Sequence, residues 1–169
     1  NWIGSGKWDV IHFNFGIWDT HLLADDGTIL SADDEANGRK GRLRATIPEY
    51  KNNLSDLVDI MLDTGAKLIW ASSTPVTCRS KERSDDIDKY NIAASIVMKQ
   101  KGIMINDLNH YIEPHLKVMQ TEDGCHFNPQ GDAYLGAKVA ESIMSVLESD
   151  HWQPDNFSAK PVSSQIIAG

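Results

Sequence analysis

Short apolar runs alternate with amphipathic stretches along the chain. Trp8 to Phe15 reads Trp-Asp-Val-Ile-His-Phe-Asn-Phe, rich in β-branched and aromatic residues, and follows Gly4-Ser5-Gly6. It predicts a strand. Residues 20 to 45 are polar, with Asp-Asp-Gly at 25 to 27 and a glycine-basic stretch at 38 to 44, and predict a long loop or small hairpin. Pro48 opens a helix to about residue 64, with Tyr50, Leu54, Leu57, Val58, Met61 and Leu62 at helical spacing and Gly65 as its stop. Lys67 to Ala71 predicts a second strand, closed by Ser72-Ser73-Thr74-Pro75. Asp85 or Asp86 then caps a helix to about Lys101, with Ile87, Tyr90, Ile92, Ala94, Ile96 and Val97 as its apolar positions. Ile103-Met104-Ile105 is a third short strand. A helical stretch from about Asp107 to Met119 should break or bend near Pro114. Asn128 caps a last helix with Pro129 in its first turn, running to about Glu148, with Leu135, Val139, Ile143, Met144 and Leu147 inward.

Strands alternating with helices imply a parallel sheet covered on both faces. In such sheets chemistry gathers beyond the carboxyl ends of the strands. Three loops qualify: after Phe15, after Ala71, and before the last helix. One domain is expected over 1–149, with a polar extension over 150–169. The 169 residues carry 16 Lys and Arg against 24 Asp and Glu, a net charge of −8, which disfavours nucleic acid and anionic membrane as partners. No apolar run approaches a membrane span. Asn1-Trp2-Ile3-Gly4 does not read as a secretory leader, and without an initiator Met the expectation is that a segment precedes it. The compartment, exported or cytoplasmic, is left open.

Asp123-Gly124-Cys125-His126 is the first candidate for chemistry. An Asp three residues before a His in a loop can accept from one ring nitrogen and leave the other as a base. The same spacing also serves a plain turn cap beside an exposed imidazole. Asn14-Phe15-Gly16-Ile17-Trp18-Asp19 is the second. Period-two alternation puts Asn14, Gly16 and Trp18 on one side of the strand end. Gly16 allows close approach of a ligand, and Asn14 offers an amide to developing negative charge or to a strand-end backbone group.

Together the two segments resemble a known pattern. Residues 8 to 19 resemble the third block, Gly-x-Asn-Asp, of the SGNH (GDSL-type) hydrolases, and Asp-Gly-Cys-His-Phe-Asn-Pro-Gln-Gly at 123 to 131 resembles the fifth block, Asp-x-x-His followed by a helix. The resemblance covers about residues 1 to 149 and implies a flavodoxin-like three-layer α/β/α fold whose first strands are missing here. It implies hydrolysis of small acyl esters, often acetyl esters of carbohydrates, with no metal or cofactor. By resemblance His126 is the general base, Asp123 its orienting carboxylate, and Gly16 part of the oxyanion hole. Two positions depart from the pattern. The block-three Asn falls on Trp18, which has no amide, so Asn14 is the candidate replacement. The nucleophilic serine belongs to a Gly-Asp-Ser block upstream of Asn1; Ser5, Ser72 and Ser73 are poor substitutes. The first visible strand should then be an unpaired edge, completed by a preceding segment or a second chain. A non-catalytic homologue binding a glycan or protein partner is the alternative. A flavodoxin-like nucleotide binder is a third, against which the absence of a Gly-rich phosphate loop speaks.

Cys78 and Cys125 fall in two loops near this site, as a disulfide or as two free thiols. Cys125 as nucleophile is disfavoured because it is adjacent to His126. His12, His21, His110, His115 and His151 show no metal-ligand spacing, though His21 can reach the site. Trp18, Trp70 and Tyr134 suit core or loop packing better than sugar platforms. The acidic runs at Asp25-Asp26 and Asp33-Asp34-Glu35 suit a solvated loop better than a cation site.

Overall fold

A computed structural model describes residues 3, 6–79 and 83–149. Ser5 and the expected extension over 150–169 lie outside the described residues.

Three strands form a parallel sheet in the order β1 (Val10–Phe13), β4 (Lys67–Ala71), β5 (Met104–Asn106). The register sets Phe13 beside Trp70 and Trp70 beside Ile105. Alternation along each strand therefore builds two different faces. Phe13, Leu68 and Trp70 belong to a core with α2 (Ile47–Leu62) and α3 (Asp86–Gln100), through Tyr50, Leu54, Val58, Tyr90, Ala94 and Val97. On the other face Asn106 donates from Nδ2 to Ser142 Oγ of α6 (Pro129–Glu148) at 3.1 Å and lies 3.2 Å from His12 Nε2. Lys67 Nζ donates to the Val146 and Ser149 carbonyls at 2.7 and 3.1 Å, a cation on the carbonyl end of α6. The layers are thus helices, sheet, helix, the three-layer α/β/α arrangement. Central β4 is apolar on both faces because both are covered. Among the described residues β1 pairs on one side only.

The helix ends follow their sequence signals. Thr46 and Glu49 form a capping box on α2, with Pro48 in the first turn. Asn128 Oδ1 accepts from the Gln130 and Gly131 N–H groups at 3.0 Å each. Pro114 splits the 108–119 stretch into α4 (Leu108–Ile112), a 3₁₀ turn over Glu113–His115, and α5 (Leu116–Met119).

The 20–45 segment takes the hairpin alternative, with a short helix added between the strands. Leu22–Leu23 (β2) and Arg42–Leu43 (β3) pair antiparallel around a short helix α1 (Ala32–Ala36). Its Ser31–Asp34 capping box explains the acidic run as a helix first turn. Arg83 fastens this insertion to α3, reaching Glu35 at 2.5 Å, Asp86 at 2.8 Å and the Thr20 carbonyl. Met144 and Leu147, expected inward, are exposed, as are Leu57, Ile92 and Ile96 among the apolar positions of α2 and α3. On α6 the buried positions are Gly131, Ser142 and Val146, with Ser142 meeting Asn106 of β5. No helix among the described residues is long and apolar enough to cross a membrane.

Candidate active site

The three strands end at one rim, where the loops after β1 and β4 meet the loop before α6. The loop after β1 carries Asn14 to Thr20, the loop after β4 carries Ser72 to Arg79, and residues 121–128 precede α6. A groove of about 990 Å³ opens between them and the 20–45 insertion. Asn14, Gly16, Trp18, Cys78, Cys125 and His126 all line it.

The strand does not extend to Phe15 as expected; it ends at Phe13, and Trp18–Thr20 forms a 3₁₀ turn. Gly16 makes the bend, at a φ of +152° that disfavours a side chain. A Cβ there would lie 2.7 Å from Ser73 Oγ. Asn14 Nδ2 donates to the Ala71 carbonyl at 2.7 Å and to Ser73 Oγ at 3.1 Å. Both amide hydrogens thus tie β1 to the end of β4. Among the described residues no acceptor is paired with the Gly16 N–H. Tyr50 supports the bend by donating to the Phe15 carbonyl at 2.7 Å. Burial raises the Tyr50 phenol above its ordinary value, so it remains a donor. Trp18 leaves the face shared by Asn14 and Gly16: its exposed ring stacks on His21 at 4.9 Å, under the Arg44 guanidinium.

Asp123 and His126 meet in the last loop. His126 Nδ1 lies 2.6 Å from Asp123 Oδ2. A carboxylate only accepts, so Nδ1 carries a proton and, in the neutral ring, Nε2 holds the lone pair. Asp123 Oδ1 accepts from the His126 N–H at 2.9 Å, the Cys125 N–H at 2.9 Å and Thr121 Oγ1 at 2.8 Å. These donors hold the Asp123 carboxyl well below the usual range, the His126 N–H first among them. Gly124, with φ at +67°, makes the turn possible; a Cβ would sit 2.7 Å from Cys78 N. The imidazole itself is open, with 82% of its side chain exposed.

Reading the sequence missed a second Asp-x-x-His at 107–110. There His110 Nδ1 lies 3.0 Å from Asp107 Oδ2. Spacing alone does not separate the two pairs; surroundings do. Asp107 caps α4 and accepts from Ser72 Oγ at 2.8 Å. Ser72 is buried and also accepts from the Asn109 N–H, so it is a strut rather than a nucleophile. Ser73 is likewise buried and bonded to Asn14 and Asn91. The only serine lining the large groove is Ser31, among the described residues, and its hydroxyl belongs to the α1 capping box. Trp70 is core, and Tyr134 stacks on Tyr111 at 4.4 Å. No cluster of three His, Cys, Asp or Glu among the described residues could hold a metal ion.

No protein-family model and no curated protein matches the sequence. Solved structures do. LAE5, an alpha/beta hydrolase enzyme from the metagenome of Lake Arreo, Spain, matches with a TM-score of 0.58 and 17% identity, over 85% of this chain and 62% of its own. A structure described as a GDSL-like lipase from Parabacteroides merdae matches with a TM-score of 0.56 and 14% identity, over 79% and 59%. The chain therefore spans about three-fifths of the length of these structures. Such likeness is one of fold: the chain shares the α/β fold of these structures, the fold that the resemblance to the SGNH (GDSL-type) hydrolases implied.

Proposed function

We propose that this chain is the base-bearing part of a serine-type ester hydrolase that acts through an acyl-enzyme on small acyl esters, with acetyl esters of carbohydrates as the first substrates to try. The observation that carries the reading is the Asp123-oriented His126 opening on the same groove as Gly16. The nucleophilic serine lies outside the 169 residues, on a preceding segment or second chain that pairs with the open side of β1. His126 Nε2 takes the serine proton as the hydroxyl attacks the ester carbonyl, and returns it to the leaving alcohol. Asp123 keeps the imidazole in the productive tautomer and stabilises the imidazolium. The Gly16 N–H receives the oxyanion. Asn14 contributes by holding the two strand ends in place, and joins the oxyanion hole only by exchanging one of its present bonds. No metal or cofactor is needed for these steps.

A second reading has one specific observation behind it. Trp18 replaces the amide expected in block three, and the Asn14 amide is engaged elsewhere. A non-catalytic homologue that binds a glycan or protein partner through the Trp18–His21 wall would fit both facts.

Hydrolysis of 4-nitrophenyl acetate and of acetylated xylo-oligosaccharides by the complete protein separates the two. Turnover that disappears in His126→Ala supports the hydrolase. A folded complete protein with no turnover, but with saturable glycan binding lost in Trp18→Ala, supports the binder.

A further inference from the structure

Cys78 and Cys125 are 47 residues apart in sequence, yet their sulfurs lie 3.2 Å apart across the groove rim. The two loops that carry them are already laced together. The Thr77 N–H donates to the Gly124 carbonyl at 2.8 Å, and Gln120 Nε2 donates to the Pro75 and Gly124 carbonyls at 2.9 and 3.1 Å. Gly124 lets the backbones approach, since a Cβ there would meet Cys78 N. The thiols thus need to close by only about 1 Å to reach a disulfide bond length near 2.05 Å. Cys125 lies between Asp123, whose carboxylate its N–H contacts, and His126.

We propose that Cys78 and Cys125 form a reversible disulfide that fastens the Asp123–His126 loop to the loop following β4. The pairing assumes nothing about the reaction at His126. A small-molecule disulfide serves as oxidant. The exposed Cys78 thiolate attacks one sulfur of glutathione disulfide and expels glutathione thiolate, leaving a mixed disulfide on Cys78. Cys125 then loses its proton and attacks Cys78 Sγ, expelling the second glutathione. The protein loses two electrons and two protons, and glutathione disulfide becomes two glutathiones. Burial and the neighbouring Cys78 raise the Cys125 thiol to about 11, which suits it to the second, intramolecular step rather than the first.

The test equilibrates the full chain in glutathione buffers, quenches with iodoacetamide, and maps peptides by mass spectrometry, with amide hydrogen exchange on the same samples. The expected result is a Cys78–Cys125 peptide under oxidising poise, reversed by excess glutathione. Exchange across residues 121–128 should slow at least several-fold in the bridged form, and the melting temperature should rise by roughly 5–10 °C. Cys78→Ser and Cys78→Ala should both abolish the bridge and the slowing. Persistent glutathione adducts without an intrachain link, thiols that stay alkylated at every poise, or a bridge that leaves exchange over 121–128 unchanged would each overturn the proposal.

Discussion

The carboxylate of Asp123 holds His126 twice: Oδ2 takes the ring Nδ1 at 2.6 Å, and Oδ1 takes the backbone N–H of the same residue at 2.9 Å. One side chain therefore fixes both the loop and the tautomer. Asp123→Asn can donate to Nδ1 and so favours the tautomer that protonates Nε2. In the complete protein it should lower kcat by about 10⁴-fold if the role matches that of serine-protease triads. His126→Ala should lose at least as much. Steady-state kinetics on 4-nitrophenyl acetate checks both, with circular dichroism confirming the fold.

Acid sensitivity has two sources, carboxylates held ionised, of which Asp123 is the most strongly shifted, and two histidines held neutral by burial, His12 and His21. Asp123 has a folded-state pKa depressed from its ordinary 3.8, so its contribution to stability is complete above about pH 4 and is lost as pH falls towards the folded value. His12 is half-buried, and desolvation lowers its pKa from the ordinary 6.5. For a histidine that stays neutral in the fold, stability is complete above pH 6.5 and erodes below it, as the unfolded chain binds the proton first. Melting temperature against pH should therefore fall in two stages. His12→Gln should shrink the stage beginning at pH 6.5 and leave the part due to His21, and Asp123→Asn should shrink the stage below pH 4.

Two glycines are required by space as well as by backbone. Gly16→Ala would set a methyl 2.7 Å from Ser73 Oγ, and Gly124→Ala would set one 2.7 Å from Cys78 N, both at positive φ. Each should cost about 1–3 kcal/mol in denaturant unfolding. Gly16→Ala should also lower kcat in the complete protein, because it moves the N–H assigned to the oxyanion.

The rim of the sheet depends on Asn91. Its side chain accepts from the Ser73 N–H and donates to the Ser73 carbonyl, both at 2.8 Å, and Ser73 in turn receives Asn14. Asn91→Ala leaves a buried backbone N–H without a partner and should cost about 1–3 kcal/mol. Urea unfolding measures it. Asn91→Asp keeps the acceptor for the Ser73 N–H but sets a carboxylate oxygen against the Ser73 carbonyl, so it should not restore the loss.

The strands and long helices were legible because their signals are local. Lys67–Ala71 and the Asn128-capped helix stand where alternation, caps and prolines placed them. The pair at 123–126 was legible because three residues of loop suffice to bring an Asp onto a His. What local pattern could not supply was the bend at Gly16. Alternation puts Trp18 beside Asn14, but the strand stops at Phe13 and the 3₁₀ turn sends Trp18 to His21. The exposure of Met144, Leu147, Ile92 and Ile96 was equally hidden, since helical periodicity reports an apolar face without saying what covers it. Nor could spacing rank the pair at 107–110 below that at 123–126; what separates them is that His126 shares the large groove with Gly16, whereas Asp107 and His110 line a smaller cavity.

Labelling of the complete protein with a fluorophosphonate probe, followed by mass-spectrometric mapping, tests the central claim most directly. One modified serine outside these 169 residues is expected, with labelling lost in His126→Ala. A folded complete protein that takes up no probe, or one labelled equally well without His126, would contradict it.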